Sequence, residues 1–266
     1  METLKMTARA GKGEFIMNKD LENIEQAKKS FDHILNNKKY AAIIKDDKHL
    51  SILMHLLENS NFQKILDIGT GTGYLAFPLA EKFSESTIYG IDIAETTIEK
   101  NNKLAKEKGF SNLTFQSFDG LKYPFSKESF DLIVTRYAFH HFPNIMDAVC
   151  QMNSLLVKGG KVLISDPMKN EKDTNGIIDE YMKVKKDGHI HFYSKNELDE
   201  LFLHNGFTKE KQIFNNMKFP FAPIPEYIEI YNKTSEEDKL LYAIENENNI
   251  IWIKQINVGN TIFVKM

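Results

Sequence analysis

Ile65-Leu66-Asp67-Ile68-Gly69-Thr70-Gly71-Thr72-Gly73 is an apolar strand that runs straight into three glycines at alternate positions. Glycines there let backbone amides approach a ligand without side-chain obstruction, and the helix that follows points its amino end at the same place. Outward from this loop, strand and helix patterns alternate. Phe62 to Ile68 reads as strand, Tyr74 to Phe83 as helix, Thr87 to Ile91 as strand, and Ala94 to Lys108 as a helix stopped by Gly109. Leu113 to Phe118 and Asp131 to Thr135 are further strands. A helix from Asn144 to Val157 then leads through Gly159 and Gly160 into a strand at Lys161 to Ser165. Such alternation predicts right-handed crossovers and a doubly wound α/β fold, a parallel sheet covered on both faces, with ligands beyond the carboxyl ends of the strands.

The flanks read differently. Residues 1–17 hold Gly11, Gly13 and scattered charge without an apolar centre, and disorder is expected there. Residues 18–60 read as two N-terminal helices, and one domain is expected over 18–266. After the fifth strand, Ser194 and Glu197 have capping-box spacing for a helix ending at Gly206. Phe207 to Phe214 looks like a strand. The three prolines between Phe219 and Pro225 impose irregular chain, Glu226 to Asn246 reads as helix, and Thr261 to Val264 as a closing strand. Residues 215–259 thus form a C-terminal insertion, read as a lid, an oligomer contact, or packing against the sheet edge.

Composition narrows the class. With 266 residues and 42% hydrophobic content the chain can bury a large core. Its 34 basic and 37 acidic residues give a net charge of -3, so no basic field favours nucleic acid or an anionic membrane, and a small-molecule partner is expected. No apolar run reaches the roughly 18 residues of a membrane span. Cys150 is the only cysteine, which excludes an intramolecular disulfide and points to a reducing, cytoplasmic setting.

Asp92 ends the second strand, where a carboxylate can accept both hydroxyl hydrogens of an adenosine ribose; capping the helix that begins near Ala94 is the plainer role, and the two coexist. Ile93 follows it. Phe118 and Asp119 follow the third strand, suited to flanking and hydrogen-bonding an adenine, or to a turn before Gly120. A nicotinamide fingerprint, G-x-G-x-x-G, requires a glycine at position 74, and Tyr74 stands there. Asp67 would repel a pyrophosphate but can receive an ammonium group.

These residues resemble the class I S-adenosylmethionine (SAM)-dependent methyltransferases, and within them the small-molecule branch of ubiquinone and menaquinone biosynthesis C-methyltransferases. The likeness runs from about Phe62 to Phe207, through the 66–73 loop, Asp92, Phe118-Asp119, Phe130 to Val134 with His140-His141-Phe142, and Leu155 to Lys161. It implies a Rossmann-like seven-stranded sheet of order 3-2-1-4-5-7-6 with the last strand antiparallel. It also implies SAM as cofactor, held by Asp67, Gly69, Thr70, Gly71, Gly73, Asp92, Ile93, Phe118, Asp119 and Arg136, and methyl transfer to a small-molecule acceptor beside strand four.

Methyl transfer is an in-line displacement governed by alignment, and a base helps when the acceptor is a hydroxyl or an acidic carbon. His140 is the candidate base at the strand-four exit, with local packing as its alternative role. Arg136, one of only two arginines, is suited to an anionic acceptor, the SAM carboxylate, or an acidic side chain. His189 and His191 would share one face of an extended segment, but no third ligand accompanies them and no metal is expected. The competing functions are a SAM-binding protein without transfer activity and an NAD-dependent oxidoreductase.

Overall fold

The computed structural model describes residues 20–31 and 46–266. The reading of 1–17 as disordered falls outside the described residues. Residues 20–31 form helix α1, and α2 (Asp47–Leu56) is capped by Asp46, whose carboxylate accepts from the amides of Lys48 and His49. The alternating section then supplies β1 (Lys64–Ile68), α3 (Ala76–Lys82), β2 (Thr87–Asp92), α4 (Glu95–Glu107), β3 (Leu113–Ser117), β4 (Phe130–Arg136), α5 (Ile145–Leu155) and β5 (Leu156–Pro167). The strand order is β3-β2-β1-β4-β5-β8-β6, with β8 (Ile250–Lys265) antiparallel to both β5 and β6 (Phe207–Pro220).

The sheet is buried on both faces because its strands are apolar at successive positions. Leu66 and Ile68 pack with Ile133 and Ile164 against α5 and α7 (Lys195–His204), while Ile65, Ile88 and Leu132 pack with Leu53 and Leu79 on the opposite face. The capping box of Ser194 and Glu197 opens α7 as its spacing requires.

Three expectations about the C-terminal section are corrected. The sheet has eight strands, because β7 (Ile244–Glu247) pairs with β8 through a tight turn at Asn248 and Asn249, both at positive φ. The single helix expected over Glu226 to Asn246 is two helices, α8 (Pro225–Lys233) and α9 (Glu236–Tyr242), split where Ser235 accepts the amide of Asp238 as a new N-cap. The closing strand is also far longer than Thr261 to Val264. Its inner half presents Ile251, Ile253 and Ile256 to a third core shared with Phe221, Tyr227, Tyr242 and α6 (Ile177–Lys183). No helix among the described residues is long and apolar enough to cross a membrane.

Candidate active site

The carboxyl ends of β1, β2 and β4 meet in one cleft enclosing about 1010 Å3, counting the solvent at its mouth. Its floor is the glycine loop. Gly69, Gly71 and Gly73 all have positive φ, and a Cβ at Gly69 would collide with Ala138 Cβ, which also lines the cleft. Gly69→Ala is therefore expected to destabilise the fold by about 2 kcal/mol or more, read as a fall of roughly 5 °C in a thermal melt; an unchanged midpoint would refute the close approach.

Asp67 is buried, with Thr70 Oγ1 donating to its Oδ2 at 2.7 Å. Burial pushes its carboxyl up to about 7, a rise opposed by the Thr70 hydroxyl and, more weakly, by the Arg136 guanidinium. Asp92 accepts from the Gly71 amide at 2.8 Å and the Ala94 amide at 3.0 Å, so it ties the second strand to the glycine loop and holds the turn that leads into α4, whose N-cap, Ala94, carries no side-chain cap. Arg136, at the end of β4, lies between two aromatic rings, its guanidinium carbon 3.8 Å from the centre of Tyr74 and 4.1 Å from that of Tyr137. Tyr137 itself has φ 54, a left-handed conformation unusual for an aromatic residue, and its ring also lines the cleft.

Of the ten residues expected at the cofactor, Asp67, Gly69, Thr70, Gly71, Asp92, Ile93, Phe118 and Arg136 line this cleft. Gly73 and Asp119 do not. Gly73 lies under the aromatic rings of α3 and β3, a Cβ there standing 2.6 Å from Phe77, and Asp119 closes a turn by accepting from the amides of Leu121 and Lys122. His140 is placed differently from expectation as well. On the 3-10 turn Phe139–His141 its ring points into the protein, where Nδ1 lies 2.8 Å from Asp166 Oδ2, and its neighbour His141 lines the cleft instead. Burial drives both imidazoles well below their ordinary range, so both are neutral near pH 7. The buried Nδ1 of His141 has no hydrogen-bond partner. His189 and His191 both bind Asp179, at 2.8 and 2.6 Å, and pin the 187–193 segment to α6.

The sequence leaves the N-terminal helices between closing over the cofactor and packing in the core, with Tyr40, read the same way, outside the described residues. Ile24, Ala27 and Phe31 of α1 line the cleft, Phe31 meets the His141 ring edge-on at 5.0 Å between centroids, and Lys28 reaches Glu95 at 2.6 Å. Phe142 and Pro143 extend the same apolar wall. The only available signal was the apolar spacing of residues 24, 27 and 31, which core packing explains equally well. Residues 215–259 contribute nothing to the lining, so this insertion does not cover the cleft.

Comparison with known proteins is consistent with this geometry. Methyltransferase YcgJ of Bacillus subtilis, itself uncharacterised, is 28% identical over 167 residues, covering 61% of this chain and 64% of that protein. Aklanonic acid methyltransferase DauC of a Streptomyces species is 33% identical over 117 residues, covering 44% and 53%. The chain thus spans less than two thirds of either relative's length. The crystal structure of YcgJ superposes with a TM-score of 0.73 at 22% identity, over 83% of this chain and 99% of that one. Phosphoethanolamine N-methyltransferase 2 of Haemonchus contortus, solved with phosphomonomethylethanolamine and S-adenosylhomocysteine, shares the fold at TM-score 0.59 and 19% identity, over 82% and 53%. The finer resemblance to the ubiquinone and menaquinone biosynthesis branch is not confirmed by these relatives. The family model described as a methyltransferase domain matches residues 59–206, more than half of the chain and the whole of the cleft floor, and the chain belongs to that family.

Proposed function

We propose that the chain binds SAM in this cleft and transfers its sulfonium methyl to a small-molecule acceptor lying beside Tyr137, His141 and Phe142. The observation that carries the reading is the convergence of Asp67, the glycine loop, Asp92, Phe118 and Arg136 on one cavity. Their chemistry matches the parts of SAM in order. Asp92 suits the ribose hydroxyls, Phe118 and Ile93 the adenine faces, and Asp67 with Arg136 the ammonium and carboxylate of the amino acid end. Nothing in the loop is arranged for a pyrophosphate, because the Asp67 carboxylate stands beside it. The cofactor would supply an electrophilic methyl carbon; the protein's part is to align it with the acceptor and exclude water. A cytoplasmic location and a neutral or weakly charged acceptor accord with this reading.

Calorimetry of the protein with SAM and with NADH tests the cofactor. Binding of SAM alone is expected, and binding of NADH alone would sink the reading. The competing SAM-binding function without transfer would be favoured by tight SAM binding with no methyl product on a broad acceptor panel. On the acceptor side we assign the role of taking a proton to His141, which lines the cleft, rather than to His140. For a hydroxyl acceptor, His141→Gln is expected to lower kcat roughly 100-fold with SAM affinity unchanged, and a kcat within twofold of wild type would remove His141 from the mechanism.

A further inference from the structure

A chain of buried polar groups runs from the C-terminal ribbon to the cleft, and nothing in the methyltransferase reading calls for it. Asn260 in β8, Ser165 in β5 and His49 in α2 are essentially inaccessible to solvent. Arg136 Nε lies 3.2 Å from His49 Nδ1. A guanidinium can only donate, so Nδ1 must accept, and the proton of the neutral ring sits on Nε2. On that side Nε2 is 2.9 Å from Asn260 Oδ1 and 3.0 Å from Ser165 Oγ, and the Ser165 hydroxyl donates to the same Oδ1 at 2.8 Å. The amide of Asn260 is held in one orientation as well, because Nδ2 donates to Asn215 Oδ1 at 2.8 Å and to the Ile213 carbonyl at 3.1 Å. Every donor in the chain therefore points one way. Burial keeps His49 below the usual imidazole range, which agrees with a neutral ring.

We infer that Asn260 and His49 are positioning residues that fix the tautomer of the His49 imidazole and thereby aim Arg136 at the carboxylate of the bound cofactor; this rests on the SAM reading above. With Nε committed to His49 and the guanidinium held between Tyr74 and Tyr137, recognition of the carboxylate falls to the Nη groups. Asp67 and Arg136 are close enough for the arginine to act on the acid, and together they complement a zwitterion. Asn260→Asp would place a carboxylate against Nε2, favour an imidazolium, and turn Nδ1 into a donor facing another donor. It would also lose the donations to Asn215 and Ile213. His49→Gln offers an acceptor to Arg136 and a donor to Asn260, whereas His49→Phe offers neither.

The test is calorimetry with two probes, SAM and decarboxylated SAM, which keeps the adenosine, sulfonium and ammonium but lacks the carboxylate. Asn260→Asp and His49→Phe are expected to weaken SAM roughly tenfold while decarboxylated SAM stays within about twofold of its wild-type affinity, and His49→Gln is expected to recover most of the loss. If Asn260→Asp does not fold, the two His49 variants decide. Equal weakening of both probes, or no change in either, overturns the inference and leaves the SAM assignment standing. Failure of the wild-type protein to bind SAM overturns both.

Discussion

Asp92→Ala is expected to reduce SAM affinity by at least 100-fold. Two hydrogen bonds from ribose hydroxyls to a carboxylate are together worth about 3 kcal/mol or more, since each is charge-assisted. The same substitution also removes the acceptor of the Gly71 and Ala94 amides, so the loop that forms the floor loses one of its ties to β2, while the Gly69 and Thr70 amides still donate to the Ile91 carbonyl. That second effect is separable. Losing hydrogen bonds of this kind costs about 1 kcal/mol each and a few degrees of melting temperature, too little to unfold the protein at the temperature of the measurement. Calorimetry beside a thermal melt distinguishes the two, and retention of SAM affinity within a few-fold of wild type would remove Asp92 from the site.

Asp67→Asn is expected to have opposite effects on the empty protein and on ligand binding. The carboxyl is raised from an ordinary value of 3.8 to about 7, chiefly by burial. Between those two values the native state holds more protons than the unfolded state, so stability falls as pH rises, and the full cost of burying the charge is present above pH 7. An amide removes that cost while still accepting the Thr70 hydroxyl. The variant should therefore gain about 2 kcal/mol over wild type above pH 7, and less as pH falls toward 4. SAM should nevertheless bind more weakly, because the ammonium has lost its anion. For wild type, affinity should drop several-fold between pH 7.5 and pH 6 as Asp67 takes up a proton, with a flatter profile for the variant. A variant that melts below wild type at pH 8, or binds SAM equally well, contradicts this account.

The existence of strands β1 to β5 was legible from short apolar segments alternating with helical spacing, while their order in the sheet came from the family resemblance; β3, at the edge, buries only Leu113 and Phe115. The ribbon was not legible. In β6 the burial alternates over solvent, and in β8 the pattern Ile251, Ile253, Ile256 and Val258 sits in a stretch that also holds Lys254, Gln255 and Asn257. The break between α8 and α9 did carry a signal, Ser235 three residues before Asp238, which is the spacing of a cap. In the site, the acids and glycines at strand ends were readable because the chemistry demands those residue types there. Which of two adjacent histidines faces the cleft was not, since a single 3-10 turn separates their directions. The network through His49 and Asn260 joins residues 211 positions apart, and no local pattern announces it.

The family match covers residues 59–206, yet three stretches outside it bear on the cleft: the helix over residues 20–31 lines it, and His49 of α2 with Asn260 of β8 stands behind Arg136. A recombination event that moved only the matched segment into another gene would carry the glycine-loop floor intact. It would leave behind both the ceiling over that floor and the brace behind Arg136. Inheritance of the chemistry and inheritance of the fit thus travel on different parts of this chain.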